Sequence, residues 1–113
     1  MCGLLFCYSK KGIDEKKFKN ALMLQKHRGP DYTGIKKVDT NIIFGHVRLS
    51  IIDTSENSNQ PFSNNDTSNI IIFNGEIYNY LELKKKLINQ NRDIVFNSKG
   101  DTEVLLKLLE KNG

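Results

Sequence analysis

Two stretches of this chain, GLLFCYS at residues 3–9 and NIIIF at 69–73, are apolar at nearly every position. Side chains on a strand alternate between faces, so an unbroken apolar run presents apolar surface both ways. Such strands need helices or a second sheet over each face. That requirement predicts a layered sandwich rather than an open barrel. Between them, NIIFGHVRLSIID (41–53) alternates: Val47, Leu49 and Ile51 point one way, and His46, Arg48 and Ser50 the other. Residues 14–27 predict a helix, with Asp14 and Glu15 in its first turn and Phe18, Ala21 and Leu22 at helical spacing. HRGPDYTG (27–34) breaks the chain, and residues 54–68 are polar and loop-like. Tyr80, Leu83, Leu87 and Ile88 form a helical stripe over 79–90, and DIVF (93–96) reads as a short strand. Asp101 is placed to cap a last helix whose apolar face is Val104, Leu105, Leu108 and Leu109, with Gly113 as its stop. The order of elements predicts a mixed α and β fold.

A chain of 113 residues is long enough for one domain or part of one. No apolar run approaches the roughly 20 residues that cross a membrane. GLLFCY is too short for a secretory signal and no charged segment precedes it, so the expectation is a cytoplasmic, reduced chain with no membrane contact. The two cysteines, Cys2 and Cys7, share one predicted strand. Five residues of strand separate them by about 16 Å, too far for a disulfide. The net charge is +4, but acids are interleaved among the lysines, as in YLELKKKLINQN, and no nucleic-acid-binding motif is present. The lysines read as solvated helix faces, and nucleic acid is not an expected partner.

Candidate chemistry is spread along the chain. Cys2 is either a bland terminal residue or, with Met1 removed, a nucleophile that also carries a free α-amine. That amine, with an ordinary pKa of about 7.7–8.0, is a base suited to neutral pH. Arg48 is either a surface cation on a half-exposed strand or a bidentate site for a carboxylate. Asn74-Gly75 is either a hairpin turn or a pair of donors at a strand end, where glycine lets a ligand approach the backbone. Asp101 is either a plain cap or a cap that also receives an ammonium, with Glu76 to assist. His27 and His46 have no third ligand at a metal-like spacing, which excludes a metal site.

MCGLLF, HRGPDYTG, GHVRLSIID, NGEIYNY and SKGDTEVLL occur together and in this order. The set resembles the class II glutamine amidotransferases, most closely the glutaminase domain of glutamine-hydrolysing asparagine synthetase, over residues 1–113. The resemblance implies an α+β N-terminal-nucleophile αββα sandwich, here only about its first half, with the synthetase domain absent. It implies Cys2 as nucleophile with its own amine as base, and Asn74 and Gly75 as oxyanion donors. Arg48 would hold the glutamine carboxylate, Leu49, Ile51 and Ile52 would line the site, and Glu76 and Asp101 would bind the α-ammonium. Arg28 matches a structural arginine near the nucleophile. Glutamine is the implied substrate, and a C-terminal synthetase domain using ATP and magnesium the implied partner. No cofactor is expected in this segment. Two alternatives stay open: a glutaminase serving an aminosugar or cell-surface-sugar acceptor, and a non-catalytic truncated fragment. A homo-oligomer is compatible with either.

Overall fold

The computed structural model describes residues 2–50, 55–64 and 68–113. The chain begins with strand β1 (Gly3–Tyr8), helix α1 (Glu15–Met23) and a short 3-10 turn (Lys26–Arg28). Strands β2 (Tyr32–Asp39) and β3 (Ile42–Arg48) follow, then short strands β4 (Phe62–Ser63) and β5 (Ile70–Ile71), and helices α2 (Tyr80–Gln90) and α3 (Asp101–Asn112). The architecture is mixed helix and strand, as the sequence predicts. β1, β3 and β2 form an antiparallel sheet in that order, and β4 pairs with β5 antiparallel.

Asp14 starts α1 as its cap, accepting from the amides of Lys16 at 3.0 Å and Lys17 at 3.2 Å. This satisfies amides that a helix start leaves without partners. The helix lays Phe18 and Leu22 on Ile43 and Val47 of β3, with Leu5, Cys7, Ile13 and Met23 packed around them. The core therefore sits between α1 and one face of the sheet.

The opposite face overturns one expectation. Leu4, Phe6 and Tyr8 are exposed, so β1 is covered on one side rather than both. The helix that packs on this sheet is α1, while α2 and α3 pack on each other. DIVF is not a strand either: residues 93–96 are turn and irregular chain. Phe96 serves there as a platform for the ammonium groups of Lys84 and Lys107, 4.7 Å and 5.3 Å from its ring centre. Among the described residues NIIIF pairs through Ile70 and Ile71, and the Phe73 amide donates to the Gln60 side chain at 2.6 Å instead of to a strand. Asp101 is not the cap of α3. Gly100 occupies that position, and the Asp101 carboxylate instead accepts the Ile77 amide at 2.9 Å.

Candidate functional site

The N-terminal strand brings Cys2 to the end of β3. In the antiparallel register Gly3 stands opposite Val47, which puts Cys2 beside Arg48 and Leu49. The Leu49 amide donates to the Cys2 sulfur at 3.3 Å, and the thiol donates back to the Leu49 carbonyl at 3.7 Å. Arg28 donates through Nε to the Cys2 carbonyl at 3.0 Å. The RGPD segment thus holds Cys2 by its backbone and leaves the sulfur directed at Leu49. Asp31 completes this corner: its amide donates to the Arg48 carbonyl at 3.0 Å, and its carboxylate accepts the Ser50 amide at 2.8 Å.

Arg48 is not the half-exposed surface residue that an alternating strand allows. It is 6% exposed, and its Nη1 donates to the Ser55 carbonyl at 2.7 Å and the Asn59 side-chain oxygen at 2.8 Å. Among the described residues both hydrogen-bond partners of this guanidinium are neutral, so they orient it without cancelling its charge. Asp101 is 7% exposed. Its hydrogen bond to Ile77 draws the segment after Asn74-Gly75 against the start of α3.

A cavity of about 80 Å³ lies among these elements. Cys2, Arg48, Leu49, Gly75, Glu76 and Asp101 all line it, so six residues singled out by the sequence converge from four separate segments. Asn74 is exposed and stands beside this lining rather than in it, between Phe73 and Gly75, which both belong to it. Ile51 and Ile52 lie outside the described residues, as does Met1. Among the described residues the cavity holds one guanidinium and two carboxyl groups, a charge pattern complementary to a zwitterion. Among the described residues, no group of three or more His, Cys, Asp or Glu is placed to hold a metal ion. No helix among them is long and apolar enough to cross a membrane.

Ser58, Gln60, Phe73, Gly100 and Thr102, none of them marked out by the sequence, complete the lining. Gln60 lies in the stretch read as a polar loop, yet it is buried. The one hint was Pro61-Phe62, an apolar break in a polar segment, and Phe62 is indeed buried. His46, whose spacing in the sequence suggests no metal site, also stands next to this lining. It is fully buried, and its Nε2 lies 3.2 Å from the Phe73 carbonyl. Burial lowers its pKa and Arg48 lowers it further, against the opposing pull of the Phe73 carbonyl.

Relatives among known proteins cover nearly the whole of this chain. Asparagine synthetase [glutamine-hydrolyzing] 1 of Bacillus subtilis (strain 168) is 43% identical over 111 residues, which cover 94% of this chain and 17% of that relative. The nodule asparagine synthetase [glutamine-hydrolyzing] of Pisum sativum is 37% identical over 116 residues, covering 100% of this chain and 19% of the relative. Asparagine synthetase [glutamine-hydrolyzing] 1 of Lotus japonicus is 36% identical with the same coverage, 100% and 19%. The chain thus spans about a fifth of the length of the curated relatives it matches. The family model described as a glutamine amidotransferase domain matches residues 1–113 from end to end. With that match the resemblance carried by the sequence motifs is borne out, and the chain belongs to the glutamine amidotransferase domain family.

Proposed function

We propose that this chain is the glutaminase part of an asparagine synthetase, hydrolysing glutamine to glutamate and ammonia through a thioester on Cys2. The observation that carries the reading is the convergence of Cys2, Arg48, Gly75, Glu76 and Asp101 on one cavity. Glutamine carries a carboxylate and an ammonium at one end and an amide at the other. Arg48 receives the carboxylate in a charge-assisted pair. Asp101 and Glu76 receive the ammonium. This anchoring leaves the amide to reach Cys2.

Removal of Met1 frees the Cys2 amine, which accepts the thiol proton as sulfur attacks the amide carbon. The oxyanion formed there is met by the Gly75 amide and the Asn74 side chain. Collapse of this intermediate breaks the C–N bond. The amine passes its proton to the departing nitrogen, ammonia leaves and a thioester remains. Water, deprotonated by the same amine, attacks the thioester through a second oxyanion, releasing glutamate and restoring the thiol. The ammonia would serve ATP-dependent amidation of aspartate in a further domain, where ATP and magnesium would act. Neither takes part in the steps at Cys2.

The test is glutamate release from glutamine by the purified protein, beside Cys2→Ala. Release by the parent that disappears in the variant supports the reading; equal release by both overturns it. Intact mass adds a second check, because a mature chain that retains Met1 has no free Cys2 amine. Asn74→Ala should slow turnover by about 10²–10³, the usual loss for one oxyanion donor.

A further inference from the structure

The Asn74-Gly75 corner is exposed, Asn-Gly is a turn-forming pair, and exposed connecting segments move more than the elements they join. A mobile donor is a poor one, because catalytic donors act by being in place before charge develops. The corner is fixed from behind, through Phe73. The Phe73 amide donates to Gln60 Oε1 at 2.6 Å, and the Phe73 carbonyl lies 3.2 Å from His46 Nε2. These two groups belong to the two peptide planes that flank the Phe73 α-carbon. The second plane also contains the Asn74 nitrogen.

A carbonyl oxygen only accepts, so the hydrogen sits on His46 Nε2 and Nδ1 is the bare ring nitrogen. That Nδ1 is buried and has no partner among the described residues. A leucine or methionine would fill the same space without stranding a buried acceptor. What a histidine supplies there is the Nε2–H. Burial and the neighbouring Arg48 cation disfavour a second proton on the ring, and the Phe73 carbonyl selects the Nε2–H tautomer.

Gln60 is held as firmly. Its Nε2 donates to Thr102 Oγ1 at 3.2 Å, in the first turn of α3. Its backbone sits over Gly34, which pairs with His46 in the sheet register. A Cβ on Gly34 would overlap the Gln60 carbonyl, so only a glycine lets this backbone reach the sheet. The bare strand position, the glutamine above it and the histidine beside it form one connected support.

We propose that His46 and Gln60 are positioning residues that clamp the Phe73 backbone from both sides and so hold the Asn74-Gly75 corner in place for the reaction at Cys2. The assignment rests on the glutaminase reading above and names residues that act through others. Neither residue touches the reacting atoms in this role. Loss of either donor or acceptor loosens the oxyanion corner while leaving Arg48, Glu76 and Asp101 to bind glutamine. The effect therefore falls on kcat rather than KM.

The experiment measures glutamine hydrolysis by the purified parent protein, His46→Leu, His46→Gln and Gln60→Leu. Rates are normalised to the Cys2 that an electrophilic glutamine analogue titrates, so misfolded protein does not count. His46→Leu is expected to lower kcat by about tenfold or more, with KM within about threefold, because a donor out of place is partly lost. His46→Gln returns an amide N–H to roughly the place of Nε2 and is expected to recover most of the loss. A His46→Leu kcat equal to the parent's, an equal loss in His46→Gln, or a rise in KM with kcat unchanged overturns the proposal. If His46→Leu yields no titratable Cys2, Gln60→Leu is read against the same limits on kcat and KM. A parent without glutaminase activity is a different failure: it removes the proposed function itself, and the clamp's catalytic consequence with it.

Discussion

At the scale of single residues, the site depends on charges held by neutral partners. Among the described residues Arg48 is anchored by the Ser55 carbonyl and the Asn59 side chain through one nitrogen, which leaves the rest of its planar fork for a ligand. Arg48→Lys keeps the charge and loses the fork. It is expected to raise the KM for glutamine by about tenfold or more, since a hydrogen bond to a charged group contributes roughly 1.5–3 kcal/mol. Steady-state kinetics on both proteins checks this, and an unchanged KM would remove Arg48 from substrate binding. His46 adds a pH signature. Its folded-state pKa lies below the ordinary 6.5, chiefly through burial. The unfolded chain therefore binds the proton more readily than the folded one. The contribution to stability is complete above about pH 6.5 and is lost as pH falls below it toward the folded value. Urea unfolding from pH 7.5 to 5 should show the parent losing stability faster than His46→Gln, by up to about 1.4 kcal/mol per pH unit. Parallel profiles for the two proteins would contradict the shift.

At the scale of elements, α3 owes its position to a residue on its buried side. Glu103 is fully buried, and its carboxylate accepts the amides of Asn97 and Ser98 at 3.0 Å and 2.7 Å and the Ser98 hydroxyl at 2.8 Å. Lys107 one turn on balances its charge at 3.9 Å. This carboxylate gathers the loop ahead of the helix, and so sets where Gly100 and Asp101 enter the cavity. Glu103→Ala leaves those donors without their acceptor and should cost about 1–3 kcal/mol in chemical denaturation. A loss below a few tenths would mean that water replaces the carboxylate. The sequence showed α3 as a helix, because Val104, Leu105, Leu108 and Leu109 keep helical spacing. It did not show which acid capped what. Asp101 stood at the textual start of the helix, but its carboxylate goes to Ile77, which is 24 residues earlier. The same limit explains Gln60. Local pattern reads periodicity and turn chemistry, whereas the partners of Gln60 lie 13 and 42 residues away. The site residues that were legible carry distinctive chemistry in short motifs, such as Cys2 and Arg48; those that were not are ordinary polar residues given meaning by long-range contact.

At the scale of the whole molecule, the apolar runs of the sequence stated a demand that this chain meets only in part. The radius of gyration is 14.9 Å, above the roughly 13 Å expected for a compact domain of this length. The shortest extent is 18 Å, close to the depth of one sheet and one helix layer. β1 is a strand with two apolar faces, as its sequence predicts, but α1 covers only the face bearing Leu5 and Cys7. On the other face Phe6 is 51% and Tyr8 58% exposed, and the Phe6 ring leans on Phe44 of β3 with centroids 5.0 Å apart. Among the described residues β1 is also an edge of its sheet, where the Gln25 side chain donates to the Leu4 carbonyl and no further strand pairs. An apolar patch on an open edge drives association, because burying it removes apolar area from water at about 25 cal/mol per Å². The 113-residue chain is therefore expected to show concentration-dependent association in sedimentation velocity. Phe6→Lys puts a charge at the middle of the patch and should shift the chain toward monomer. Its circular dichroism should stay unchanged, because the Phe6 side chain points away from the core formed with α1. A parent chain that stays monomeric across the accessible concentration range, and that binds no more of an apolar dye than Phe6→Lys does, would show that this face is protected in solution.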